Sequence, residues 1–426
     1  MLPRFPTIRT GLAALAAVAL AATTLALPVA ADDHATRFAT FNASLNRGAA
    51  GGALADLSSP DNAQAQNGAA IIQRVRPEVL LLNEFDYEPD GALVAAFADN
   101  YLAVAQADDL EPISYEYSFV APSNTGVASG FDLDNDGNAV TDPAADGYGN
   151  DAFGFGLFEG QYGMAVLSQH PIDEAAVRTF QTFLWQDLDS AMLPDDPATD
   201  EPADWYSAEE LAAFRLSSKS HWDVPVDVDG TTVHLLASHP TPPVFDGEED
   251  RNGLRNHDEI AFWAEYIAGA DYIYDDVGTT GGLEPGSHFV IAGDLNADPN
   301  DGDSTGNPVD MLLSNELVNA SVTPSSAGAV EQAELLGGAN AEHTGDPAHD
   351  TADWQDENEW GTATGNLRAD YVLPSATLDI VDAGVHWPTS DDPAFPPVGI
   401  FDLETFSNPS SDHRLVWIDV SPAAAE

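Results

Sequence analysis

Short polar groups stand at the ends of apolar runs throughout this chain: Phe41-Asn42, Leu82-Asn83-Glu84, Ser238-His239, Gly293-Asp294-Leu295-Asn296, Asp370-Tyr371 and Ser411-Asp412-His413-Arg414. A layered fold can gather carboxylates, amides and imidazoles from successive strand ends along one edge, where they make a site for a metal ion and a phosphate. Phosphoester chemistry needs an in-line nucleophile and donors for the charge on the equatorial oxygens. The run Phe289 to Ala292 exits through Gly293 into Asp294 and then Asn296, and alternation puts that acid and that amide on one side if the strand pattern continues. Glu84 follows Val79 to Leu82, where a carboxylate at the mouth of a buried strand is costly without a nearby cation. The His413 ring, if a carboxylate held it, would keep one tautomer and a raised pKa. Each motif alone would pass as a turn, a cap or a core residue. Their serial placement argues for chemistry.

Strands must carry these groups to a common edge. Arg37 to Phe41 and Val79 to Leu82 read as buried strands around a helical stretch, Asn67 to Val75, that ends before Pro77. Met164 to Leu167, Val224 to Val228, Val233 to Ala237, Phe289 to Ala292, Tyr371 to Leu373 and Leu415 to Val420 are further strand candidates, with Asp229-Gly230 as a hairpin turn. Ser207 with Glu210, and Asn256 with Glu259, have the spacing of capping boxes before helices at Leu211 to Arg215 and His257 to Ile267. Hairpins interleaved with single helices predict an α/β fold of two mixed β-sheets packed face to face with helices outside, a four-layer α/β/β/α sandwich. No internal repeat is visible. Residues 122–160, 187–202, 325–365 and 388–409 are Gly/Asp/Pro-rich insertions, expected to shape the pocket.

The order and content of the motifs resemble the endonuclease/exonuclease/phosphatase superfamily of metal-dependent phosphoesterases, from about Arg37 to Val420. The resemblance implies the same four-layer fold and a set of roles. Asp294 would orient or deprotonate the attacking water, and Asn296, His239 and Tyr162 would hold phosphoryl oxygens. Glu84 would be the principal metal ligand, aided by Asn42 and by Asp412. His413, steered by Asp370, would stabilise developing charge. Oxygen-only ligation suits Mg²⁺ or Mn²⁺.

Cations are scarce enough for their positions to carry information: Lys219 is the one lysine, and twelve arginines complete the count of 13. Lys219, Arg251 and Arg368 are expected to face the site and bind substrate phosphate or carboxylate. Asp132, Asp134 and Asp136 alternate before Gly137 like the opening of a calcium loop, although Pro143 stands where a closing Glu would be. Asp142, Asp146 or Asp151 could complete a structural Ca²⁺ site. His343, His349, Asp350 and Asp353 offer a second candidate metal set with no specific spacing.

Arg4 and Arg9, the uncharged run Gly11 to Leu27 and the small residues Val29-Ala30-Ala31 predict a cleaved secretory signal over residues 1–31. A membrane anchor is the alternative, but the run is Ala-rich and slightly short. Residues 32–426 then form one large domain, since no linker divides them. An exported protein without cysteine relies on its core, bound metals and salt for stability. The formal charge of −58 suits saline water, where a Debye length of about 3 Å at 1 M removes most self-repulsion. That charge repels nucleic acid and anionic lipid, so a small phosphoester is the expected substrate. A monomer without stable membrane association is expected. The alternative within the class is an extracellular nuclease that scavenges phosphate from DNA or RNA, and outside it a calcium-stabilised binding module. Intact Glu84, Asp294, Asn296, Asp370 and His413 argue against the last.

Overall fold

The computed structural model describes residues 35–354, 363–400 and 408–423. The leader expected at residues 1–31 lies outside them, as do parts of the 325–365 and 388–409 insertions. In chain order the strands are β1 (Thr36–Asn42), β2 (Val79–Asn83), β3 (Tyr117–Phe119), β4 (Met164–Ser168), β5 (Arg178–Thr179), β6 (His221–Val228), β7 (Thr231–Ser238), β8 (His288–Asp294), β9 (Asp370–Pro374), β10 (Leu378–Val385) and β11 (Val416–Pro422). They form two mixed sheets, ordered β10-β11-β1-β2-β4-β3 and β5-β6-β7-β8-β9.

Strand alternation sorts the apolar residues between two cores. Val233, Leu235, Ala237, Val290, Ala292 and Val372 turn inward and pack with Phe38, Leu80 and Val166 of the other sheet. Leu236, Phe289, Ile291, Tyr371 and Leu373 turn the opposite way, onto Ile260, Phe262, Trp263 and Tyr266 of the helix Arg251–Ile267. The helix Ala63–Val75 covers the first sheet in the same manner through Ala65, Ala69 and Ile72. The result is the four-layer sandwich expected from the sequence.

Although the sequence has no visible repeat, the two sheets share one plan. Each is centred on a parallel pair, β1 with β2 and β7 with β8, joined through one of these helices and flanked by antiparallel strands. The sheets pack β1 against β8. Strand ends from both halves therefore meet at one edge. The antiparallel neighbours begin there too: Val416 of β11 pairs with Thr40, and Asp370 of β9 pairs with Asp294. Gly293 lets β7 and β8 close at that edge, because a Cβ at this position would sit 2.0 Å from the Ser238 carbonyl oxygen.

Several elements differ from the sequence expectation, among them the short strands β3 and β5, which had no candidate. The Ser207–Glu210 capping box exists, but its helix spans only Ala208–Leu211, because the chain leaves to bond Phe214 and Leu216 to Trp185 and Phe183. The long helix begins at Arg251 rather than His257, so Asn256 and Glu259 lie inside it. Strand β10 went unseen because Asp379 and Asp382 break its apolar pattern and a bulge falls between Ile380 and Asp382.

Candidate active site

At the shared edge Asp294 is the hub, 1% exposed at the end of β8. Its Oδ2 accepts the Asn42 side-chain amide at 3.0 Å and lies 3.3 Å from His239 Nε2 and 3.6 Å from His413 Nε2. Its Oδ1 accepts the Asn296 backbone N–H at 2.9 Å. Burial alone would raise this carboxyl, but His413, His239 and the Asn42 bond hold it well below the usual carboxylate range. Asp294 is an ionised acid out of bulk solvent.

His413 is clamped from both ends. Its Nδ1 bonds Asp370 Oδ2 at 2.8 Å, and Asp370 is itself fixed by the Thr351 hydroxyl at 2.8 Å. Burial opposes charging the ring, yet Asp370 and Asp294 together raise its pKa well above 6.5, so the proton stays on the imidazole. Asp294, Asp370 and His413 offer ligand atoms within 4.8 Å of one another. Nδ1 bonds Asp370 while Nε2 stands 3.6 Å from Asp294, so the trio is an imidazole held between two carboxylates. His239 behaves oppositely: burial and then the Lys219 charge push its imidazole down to about 4, against the pull of Asp294.

Glu84 is half-buried as a residue, with its carboxyl end enclosed. Burial first and the Asp412 carboxylate second push it up to about 7. Asn46 donates to it at 2.8 Å, and the Asn42 amide reaches it as well. An enclosed carboxyl pushed up by a second carboxylate beside it is what a divalent cation would relieve, so Glu84, Asp412 and Asn42 fit the metal-ligand role that the resemblance implies. Asn46, in the loop after β1, was not among the sequence candidates.

Tyr162 is half-buried, and burial followed by the charges of Glu84 and Asp86 raises its pKa, which keeps the hydroxyl a donor. Glu84, Tyr162 and Asn296 all have positive φ, at 55°, 56° and 51°. Such strained backbone is held only where surrounding structure over-determines it. The surrounding structure includes residues missed in the sequence. Asp86 accepts the backbone N–H groups of Arg47 and Tyr162, tying two site loops together. Asn256 donates to the carbonyls of Thr241 and Leu295, and Glu259 accepts the N–H groups of Ser218 and Thr241. The Asn-x-x-Glu spacing read as a helix cap instead braces the loops that follow β7 and β8 from within the helix.

The three expected substrate-binding cations separate. Arg251 is ion-paired with Glu249 and is therefore not a free phosphate binder, a correction to the expectation. Arg368 is buried with its guanidinium 4.4 Å over the Tyr371 ring. Lys219 is buried beneath the His239 loop. Asp132, Asp134 and Asp136 do converge within 4.8 Å, although their oxygens accept N–H groups of residues 136–138 and Asn150. Asp151 gives both oxygens to the Leu133 and Val140 N–H groups, so it is no late ligand of that loop. The second candidate metal set does not assemble: His343 bonds the Thr364 carbonyl, His349 the Pro324 carbonyl, and Asp353 pairs with Arg414.

No curated protein sequence matches the chain. Among solved structures it is similar to an endonuclease/exonuclease/phosphatase from Beutenbergia cavernae DSM 12333, with 16% identity and a TM-score of 0.47 over 92% of this chain and 72% of that one. It is also similar to sphingomyelinase C from Streptomyces griseocarneus, at 16% identity and a TM-score of 0.43 over 90% and 99% of the two chains. A third is TDP2 from C. elegans, at 14% identity and a TM-score of 0.38 over 91% and 75%. The sequence profile of the Endonuclease/Exonuclease/phosphatase family matches residues 39–413, a span that takes in every strand-end group from Asn42 to His413. The chain belongs to that family, whose members hydrolyse phosphoesters.

Proposed function

We propose that the protein is an exported, divalent-cation-dependent phosphoesterase that hydrolyses small phosphate esters by in-line attack of water. The observation that supports this most is the ionised Asp294 carboxylate, held between the Asn42 amide, His239 and the charged His413–Asp370 pair. An ionised carboxylate at this point can accept a hydrogen bond from water and aim its lone pair at phosphorus. His239, the Asn296 amide and the Tyr162 hydroxyl supply uncharged donors to phosphoryl oxygens. His413 supplies a charged one, which gains most as negative charge develops in the transition state. A divalent cation at Glu84, Asp412 and Asn42 would draw charge from a phosphoryl oxygen and the leaving oxygen.

Substrate size and compartment follow from composition. Against 71 Asp and Glu the chain carries 13 Lys and Arg, which disfavours a long polyanion and favours a small ester in saline surroundings. The basic and apolar start of the chain supports export.

The test uses protein recovered from culture medium, stripped by chelator and assayed near molar salt on an aryl phosphodiester and the matching monoester. Activity on at least one, restored by Mg²⁺ or Mn²⁺, with a mature chain starting near Asp32, is the expected outcome. Inertness toward both esters under every cation would overturn the enzymatic reading, and a retained Met1 would overturn export.

A further inference from the structure

Lys219 is the one lysine of the chain, and it lies 7% exposed just before β6. An ammonium gives up its hydration there, which is costly unless acceptors and opposite charges surround it. Its Nζ donates to the Pro240 carbonyl oxygen at 3.3 Å. The Asn296 side-chain amide donates to that same oxygen at 3.2 Å. Pro240 directly follows His239, so one carbonyl links the lysine to both uncharged phosphate-binding groups of the loops after β7 and β8. Burial lowers the pKa of the ammonium, and Glu259, Asp294 and Glu84 oppose that shift in this order.

The His239 ring is faced by Lys219 from the approach to β6, by Asp294 from β8 and by His413 from the approach to β11. Two of these neighbours are cationic. The His239 Nε2 atom is 3.3 Å from Asp294, while its Nδ1 is buried without a hydrogen-bond partner.

We propose that Lys219 is a positioning residue of the phosphoester site: its ammonium pins the Pro240 carbonyl that also orients the Asn296 amide, and sets a fixed positive charge beside His239. This rests on the phosphoesterase reading for its consequence, not for its test. With Lys219 in place His239 stays neutral, so its ring does not add a cation beside Asp294. Because Lys219 lies under the loop and bonds it, its effect reaches substrate through His239 and Asn296.

The experiment is an NMR pH titration of the histidine rings in the full mature protein in high salt without substrate, the His239 signal being assigned with His239→Gln. In the unaltered protein His239 should remain neutral down to about pH 5. In Lys219→Met its midpoint should rise by about one unit, since a like charge has been removed, and kcat should fall about 10- to 100-fold, as for loss of an outer supporting contact. Lys219→Arg should keep the low midpoint. A folded Lys219→Met protein with an unchanged His239 midpoint would overturn the proposal. If that variant does not fold, Lys219→Gln, which keeps a donor for the Pro240 carbonyl but removes the charge, takes its place: a risen His239 midpoint sustains the proposal and an unchanged one overturns it, as does a midpoint at or above 6.5 in the unaltered protein. The titration needs no turnover, so its failure is separate from any failure of the phosphoesterase reading.

Discussion

Asp294→Asn is expected to lower kcat by about 10⁴-fold while leaving the fold in place. The substitution keeps the shape of the side chain and can still meet the Asn296 N–H, but it removes the negative charge that His239, His413 and Asn42 converge on. A neutral amide can neither take a proton from water nor orient it as strongly. The variant also gives up the stability that the depressed pKa of Asp294 confers at neutral pH and leaves the charged His413 with one carboxylate partner, so its thermal midpoint should fall while unfolding stays cooperative. Steady-state kinetics beside a melting curve would check both halves. A kcat within tenfold of the unaltered value would remove Asp294 from the chemistry.

Asp370→Asn should cost about 10³-fold in kcat at neutral pH, by analogy with other imidazoles that lose an orienting carboxylate. The larger signature is in the pH profile. His413 owes its raised pKa to Asp370 and Asp294 against burial, so its charged form is present below that raised value and is lost as pH climbs through it. Removing Asp370 lowers the value, and the alkaline limb of the kcat profile should move to lower pH. Stability follows the same sign: the His413 contribution is fully present below its unfolded pKa near 6.5 and fades as pH rises through the folded one. Asp294 works in reverse, since its depressed pKa gives stability above its unfolded value of 3.8 that is lost as pH falls. An alkaline limb unmoved in Asp370→Asn would contradict the part assigned to Asp370 in holding His413.

The parts of the site visible in the sequence are those at either end of an apolar strand. Glu84 and Asp294 sit where an apolar run stops and Asp370 and His413 where one begins, whereas Asn296 comes back to Asp294 through a left-handed backbone after β8 has ended rather than by strand alternation. Support from behind the strands was not visible. Asn256 and Glu259 have the i, i+3 spacing of a cap, and the same spacing lets two side chains on one helical face reach two loops. Nothing local distinguishes these uses; the true start at Arg251, after Asp250 in a left-handed conformation, decides it. The fate of the cations was equally hidden. Arg251 is neutralised by a glutamate two residues away, whereas Lys219 is drawn inward by carboxylates distant in sequence. The insertion at 122–160 was expected from its Gly, Asp and Pro content only to shape the pocket, and no pattern in it announced that it buries Tyr148, Asp151 and Phe153 through bonds between its own two arms.

The stereochemical course at phosphorus tests most directly whether Asp294 directs water in line onto the phosphoryl group. A phosphate ester made chiral at phosphorus with sulfur and oxygen isotopes would be hydrolysed in labelled water and the product configuration read. A single displacement by water gives inversion, and inversion is the expected result. Retention would require two displacements through a covalent phosphoryl-enzyme, and would contradict the role assigned to Asp294.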